Sequence, residues 1–82
     1  MTYAEIDTTV KEILAKQLSM EPSGIKSDAR LSEDLGLDSF ASVEVVFELE
    51  EKFALKIPDS ALYEAKIVKD IVDYVASQKG AK

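Results

Sequence analysis

Apolar side chains at Tyr3, Ile6, Val10, Ile13, Leu14 and Leu18 recur at steps of one helical face, and no stretch alternates apolar and polar residues as a half-buried strand must. That periodicity predicts an all-α chain. A first helix spans residues 3–18, with Thr2 and Glu5 at the spacing of a capping box. From Ser19 to Asp38 the pattern is broken by Pro22, Gly24 and Gly36. This connection is longer than the ~15 residues at which a loop is usually functional or disordered. Ile25, Leu31, Leu35 and Leu37 are the residues expected to pin it to the core, with a turn of helix after Ser32. Asp38 caps a second helix running to Phe53, and Asp59 caps a short one over Ser60 to Glu64. Val68, Ile71, Val72 and Val75 mark a last helix that ends at Lys79-Gly80. The expected architecture is a four-helix bundle, three longer helices and one short, with a long loop between the first two. All 82 residues form a single domain in this reading.

The residue inventory narrows the chemistry. With no Cys and no His, the chain cannot form disulfides, thiolate nucleophiles or Cys/His zinc sites, and it lacks the imidazole that most hydrolytic mechanisms use as a base. No apolar run reaches the ~18 residues of a membrane span. Glu5 and Asp7 interrupt the N-terminal stretch, so no signal peptide is expected and the cytoplasm is the default address. Sixteen acidic residues against ten basic ones disfavour nucleic acid, whose phosphates need a basic face. Eight of those acids and only one base, Arg30, fall between Asp28 and Glu51, giving that segment −7 of the total −6 and leaving +1 on the rest. Such a concentration is either a solvated face or a docking surface for a basic partner. Clustered carboxylates also attract divalent cations loosely, but no regular ligand spacing of the EF-hand kind occurs, so no metal site is expected.

The second helix is apolar on two sides. Counting about 100° per residue from Val45, the residues Val45, Leu49, Phe53 and Val46 fall within about 0–100° and form the core face. Phe40, Val43 and Phe47 lie at about 160–220°, on the opposite side. Glu44, Glu48 and Glu51 crowd about 240–300°, and Glu50 stands near 140°. A short helix in a small bundle cannot bury both faces. Phe40 and Phe47 are therefore expected to form a solvent-facing contact patch, with Val43 either in that patch or covered by a neighbouring helix.

At the start of that helix stands Ser39, in Asp34-Leu35-Gly36-Leu37-Asp38-Ser39-Phe40. A phosphate ester there would meet unpaired backbone N–H groups and the positive end of the helix dipole. A serine at a helix start is ordinarily only a first-turn residue, so spacing alone leaves both readings open.

The run DLGLDSF, followed by VEVVFELEEKF and then IPD, resembles the acyl carrier proteins, whose signature joins an Asp-Ser-Leu, a preceding D-x-G-x, an acidic second helix and a closing I-P-D. The likeness extends from about Leu31 to Tyr74 and is looser in the first helix. It implies a helical bundle carrying a 4′-phosphopantetheine arm, donated by coenzyme A, as a phosphodiester on Ser39. Acyl groups ride on the arm's terminal thiol as thioesters, in fatty-acid or specialised lipid biosynthesis, and the protein itself is not an enzyme. A chain without cysteine can carry thioesters only if a prosthetic group supplies the sulfur. The implied partners are a phosphopantetheinyl transferase and acyl-loading, acyl-transfer or synthase enzymes with basic docking patches, each meeting a monomeric carrier. The docking contacts implied are Asp38, Glu44, Glu50 and Glu51 around Phe40, Val43 and Phe47. The implied acyl pocket comprises Val46, Leu49, Ile57, Leu62 and Ala65.

Several positions depart from the family pattern. Phe40 replaces the Leu after the serine, and Ala41 stands where an acid is frequent. Ser60, Ala61 and Tyr63 occupy a region that is strongly acidic in primary fatty-acid carriers, and Lys52, Lys56 and Lys66 dilute the negative field. Leu62 and Ala65 alter the size pattern of the pocket, and Ile67 replaces a frequent Thr cap. These differences suggest a specialised carrier. The Asp-Ser motif is shared with aminoacyl, peptidyl and polyketide carriers, which keeps those cargoes open. An unmodified acidic helical adaptor is the alternative of a different class.

Overall fold

Burial of one face on each long helix organises the molecule. The computed structural model describes residues 2–80 and, within them, every side chain except those of Asp59 and Leu62. Helix α1 spans Tyr3–Leu18, α2 Ser39–Phe53, α3 Asp59–Glu64 and α4 Val68–Lys79, with a 3-10 turn at Pro22–Gly24. The bundle proper consists of α1, α2 and α4, of 16, 15 and 12 residues; α3 has only six. The helix caps are local in origin. Thr2 Oγ1 accepts from the Glu5 N–H at 3.2 Å while Glu5 Oε1 accepts from the Thr2 N–H at 2.9 Å, completing the expected box. The Asp59 cap expected at α3 lies outside the described side chains.

Helix α1 packs against both α4 and α2. Ile6, Val10 and Leu14 from α1 meet Val45, Leu49 and Phe53 from α2 and Val68, Val72 and Val75 from α4, each no more than 2% exposed. Burying a side chain of this kind contributes roughly 1.5–3 kcal/mol. No described helix is long and apolar enough to cross a membrane.

The long loop is where the structure adds most. Ile25, Leu31 and Leu37 are buried and Leu35 is half-buried, so the anchors are those expected. The expected turn of helix after Ser32 is present as hydrogen-bonded turns that do not extend into a helix. The Arg30 carbonyl accepts from Asp34 and Leu35 N–H groups at 2.9 and 3.1 Å, and Gly36, at φ 68°, lets the Leu37 N–H return to the Leu31 carbonyl at 2.9 Å. The Asp34-to-Arg30 bond and a Gly36 N–H bond to the Ser32 carbonyl at 3.0 Å are single turns of helical i→i+4 type, and the left-handed backbone at Gly36 stops them from propagating. The loop also pairs with the residues before α4 through an isolated antiparallel bridge between Arg30 and Ile67. Leu31 N–H donates to the Lys66 carbonyl at 3.0 Å and Val68 N–H to the Ala29 carbonyl at 3.1 Å. Ile67 has no polar side chain to cap α4; the Asp70 carboxylate instead accepts from the Lys66 and Ile67 N–H groups at 2.8 and 3.1 Å.

Candidate functional site

Two buried leucines set the position of Ser39. Leu31 and Leu37 fix the loop on the core, and Gly36 turns it, so the chain reaches α2 with Asp38 at the cap and Ser39 as the first helical residue. Asp38 Oδ1 accepts from the Ala41 N–H at 2.8 Å, and the Asp38 carbonyl accepts from the Ser42 N–H at 2.9 Å. The Ser39 and Phe40 N–H groups have no protein acceptor among the described residues. Ser39 is exposed beside them. A phosphodiester on its hydroxyl would therefore have two backbone donors and the helix dipole within reach, and the site fits such a group.

A surface groove of about 500 Å³ borders Ser39, lined from α2 by Ser39 and Val43, from the loop by Arg30 and Leu31, and beyond α2 by Tyr63 and Lys66. Arg30 is tied into the loop's own acids: its guanidinium lies 2.7 Å from Glu33 Oε2 and 3.5 Å from Asp34 Oδ1. The Arg30 backbone N–H and then its guanidinium hold the Asp34 carboxyl below the usual carboxylate range, and Asp34 and Glu33 raise Arg30 in turn.

The second apolar stripe of α2 is open to solvent. Phe40 is 74% exposed, Phe47 63% and Val43 65%, so no neighbouring helix covers Val43. Glu44 and Glu51 flank the stripe in exposed positions, while Glu48 sits 3.7 Å from Lys16 of α1. Glu50 is different from its neighbours. Half-buried, its Oε2 accepts from the Ile57 N–H at 2.8 Å, which ties the end of α2 to the approach to α3. Its carboxylate serves the fold here rather than an open acidic rim.

Val46, Leu49, Ile57 and Ala65 share one apolar cavity, closed by Ile71, Tyr74 and Val75; Leu62, expected with them, lies outside the described side chains. The cavity holds about 20 Å³, little more than the ~10–15 Å³ that one water needs. An alkyl chain does not fit this volume unless the walls, drawn from α2, α3, α4 and the segments between them, move apart. The groove residues Tyr63 and Lys66 had a signal in the sequence only as departures from the family pattern, and nothing local places them beside Ser39.

Comparison with known proteins gives the same picture. The family model for the phosphopantetheine attachment site matches residues 8–75. A protein from Campylobacter hominis named acyl carrier protein is 42% identical over 71 residues, covering 87% of this chain and 90% of the relative. One of the same name from Thermosynechococcus vestitus is 40% identical over 81 residues, 99% and 100% of the two chains, and one from Helicobacter hepaticus is 42% identical over 71 residues, 87% and 93%.

Proposed function

Because the chain belongs to the acyl carrier proteins, whose arm is 4′-phosphopantetheine, we propose that Ser39 is its attachment point. The protein carries acyl groups as thioesters on that arm, whose terminal thiol supplies the sulfur that a chain without cysteine lacks. Its relatives are carriers rather than enzymes, and this chain acts in the same way, as a substrate of its partners. The observation that carries the assignment is Ser39 itself: an exposed hydroxyl at the first position of α2, inside the matched segment, with free backbone donors at its side.

The residues divide the work. Asp38 holds the helix start, so the backbone that carries the Ser39 hydroxyl is fixed where it meets the transferase that moves the phosphopantetheinyl group from coenzyme A. Phe40, Val43 and Phe47 form the apolar centre of a docking face, and Asp38, Glu44 and Glu51 its acidic border, suited to enzymes with basic patches. Val46, Leu49, Ile57 and Ala65 are the lining into which a cargo tail inserts when the helices part. Coenzyme A is an intracellular donor, so the reading places loading in the cytoplasm, on a monomeric carrier. Intact mass after incubation with coenzyme A and a phosphopantetheinyl transferase tests the assignment: one arm's increment on the wild type and none on Ser39→Ala. An increment retained by Ser39→Ala moves the site elsewhere.

A further inference from the structure

The charge along α2 does not stay acidic to its end. Asp38 and Glu44 are exposed and make no ion pair among the described residues. Past the middle of the helix each acid is offset or already bonded: Glu48 sits 3.7 Å from Lys16, Glu50 accepts from the Ile57 N–H, and exposed Lys52 follows Glu51. Beyond the helix stands Lys56, exposed and without an ion pair among the described residues. One residue holds its backbone from both sides: the Leu55 N–H donates to the Glu50 carbonyl at 3.2 Å and the Ile57 N–H to Glu50 Oε2 at 2.8 Å. Lys56 borders a depression of about 310 Å³ whose apolar lining is Phe47, Ala54 and Leu55. Phe47 also belongs to the open stripe of α2, so the depression continues that stripe past the helix end. At ~1.5 Å of rise per residue, Glu44 and the last helical residue, Phe53, are about 13 Å apart along the axis, more than the ~8 Å Debye length. The acidic and basic ends are thus separate points of contact rather than one averaged field.

Resting on the docking face proposed for α2, we infer that this surface selects partner enzymes of mixed charge: basic where they meet Asp38 and Glu44, with an apolar side chain in the depression beside Phe47 and a carboxylate against Lys56. A patch that is basic throughout sets a cation against Lys56 and is disfavoured, since like charges brought together count against the wrong partner. Lys56 also fixes the direction in which a partner lies along α2, because a reversed partner meets like charge at both ends.

The test is transfer kinetics on the full chain carrying its arm, after intact mass has shown the single increment. The probe is an acyltransferase chosen for a carrier-facing patch that is basic throughout, used as it stands and as single variants in which each docking base in turn is replaced by Glu. With one of these variants, the one whose new carboxylate faces the end of α2, the wild-type carrier should gain about two- to fivefold in kcat/KM over the all-basic enzyme, the range that an exposed ion pair supports. Lys56→Glu should reverse that preference, Lys56→Gln should abolish it, Lys56→Arg should keep it, and added salt should erase it. The Lys56 side chain makes none of the bonds that hold its backbone, so these variants keep the fold, which a denaturant melt checks. Phe47→Ala separates the two readings, because loss of the apolar centre should slow transfer with every form of the enzyme. If Phe47→Ala slows transfer but no Glu variant is preferred by the wild type, or the preference survives in Lys56→Glu, the mixed-charge selection is overturned and the docking face stands. If Phe47→Ala slows nothing, the docking face falls and this inference with it.

Discussion

Replacing Ser39 by Ala removes one exposed hydroxyl from a position where Asp38 already supplies the cap through its 2.8 Å bond to Ala41 N–H. Helix content and stability should therefore stay within about 0.5 kcal/mol of the wild type while the mass increment disappears, and circular dichroism with intact mass checks both. A second contrast at this scale lies between two phenylalanines six residues apart on α2. Phe47 is 63% exposed and Phe53 2%. Phe47→Ala should alter stability by no more than about 0.5 kcal/mol. Phe53→Ala should cost about 3–5 kcal/mol, since it empties a core position. Denaturant melts measure the difference, and acyl-loading kinetics should fall for Phe47→Ala in spite of its intact fold. If Phe47→Ala melts as poorly as Phe53→Ala, the second stripe of α2 is a packing surface and the docking face is misplaced. Both stripes were legible in the sequence because the helical period sorts residues by angle. The role of Glu50 was not, since its bond to Ile57 N–H depends on where the chain goes after α2 ends.

Between elements, α1 and α4 are joined outside the core by Tyr3, Asp73 and Lys69. The Tyr3 hydroxyl donates to Asp73 Oδ1, and Lys69 Nζ lies 2.7 Å from Asp73 Oδ2. Lys69 and then Tyr3 hold the Asp73 carboxyl below its ordinary value of 3.8, so the folded state binds that proton less readily than the unfolded chain does. Its contribution to stability is present above that value and is lost as pH falls through the lowered one. The hydrogen bond to Asp73 raises Tyr3 above 10.0, which puts an alkaline limit on the same link: its contribution holds below that value and fades as pH rises through the raised one. Tyr3→Phe should cost about 1 kcal/mol at neutral pH, remove the alkaline limb and weaken the acid one. Urea melts across the pH range check this, and a profile identical to wild type would show that the hydroxyl does not link the helices. Tyr3 was expected on the buried stripe of α1 from its spacing alone. Its partner 70 residues away could not be read from any local pattern.

For the molecule as a whole, the charge distribution matters more than its sum. The principal extents are 29 × 26 × 19 Å. The Debye length at physiological salt is about 8 Å, so neighbouring acids between Asp28 and Glu51 act on one another, and Lys16 is the base from outside the segment that pairs with one of them, Glu48, among the described residues. Self-repulsion within that segment should lower the melting temperature at low ionic strength, and sodium chloride or Mg²⁺ should raise it. Thermal melts over a salt series test this; indifference to both would mean that Arg30, Lys16 and their ion pairs already balance the segment.

Helix positions, caps at Thr2 and Asp38, the two-sided character of α2 and the motif at Ser39 were all determined by the sequence, because each depends on residues within a few positions of one another. The path of the long loop was decided by tertiary structure. Its anchors could be named, but the Arg30–Ile67 bridge joins segments that no local propensity brings together, and the turn after Ser32 ends at Gly36 with Leu31 and Leu37 both drawn to the core. The groove at Ser39 follows from that same closure. Leu31 N–H on the Lys66 carbonyl draws the segment behind α3 toward the start of α2, and only then do Tyr63 and Lys66 share a surface with Ser39.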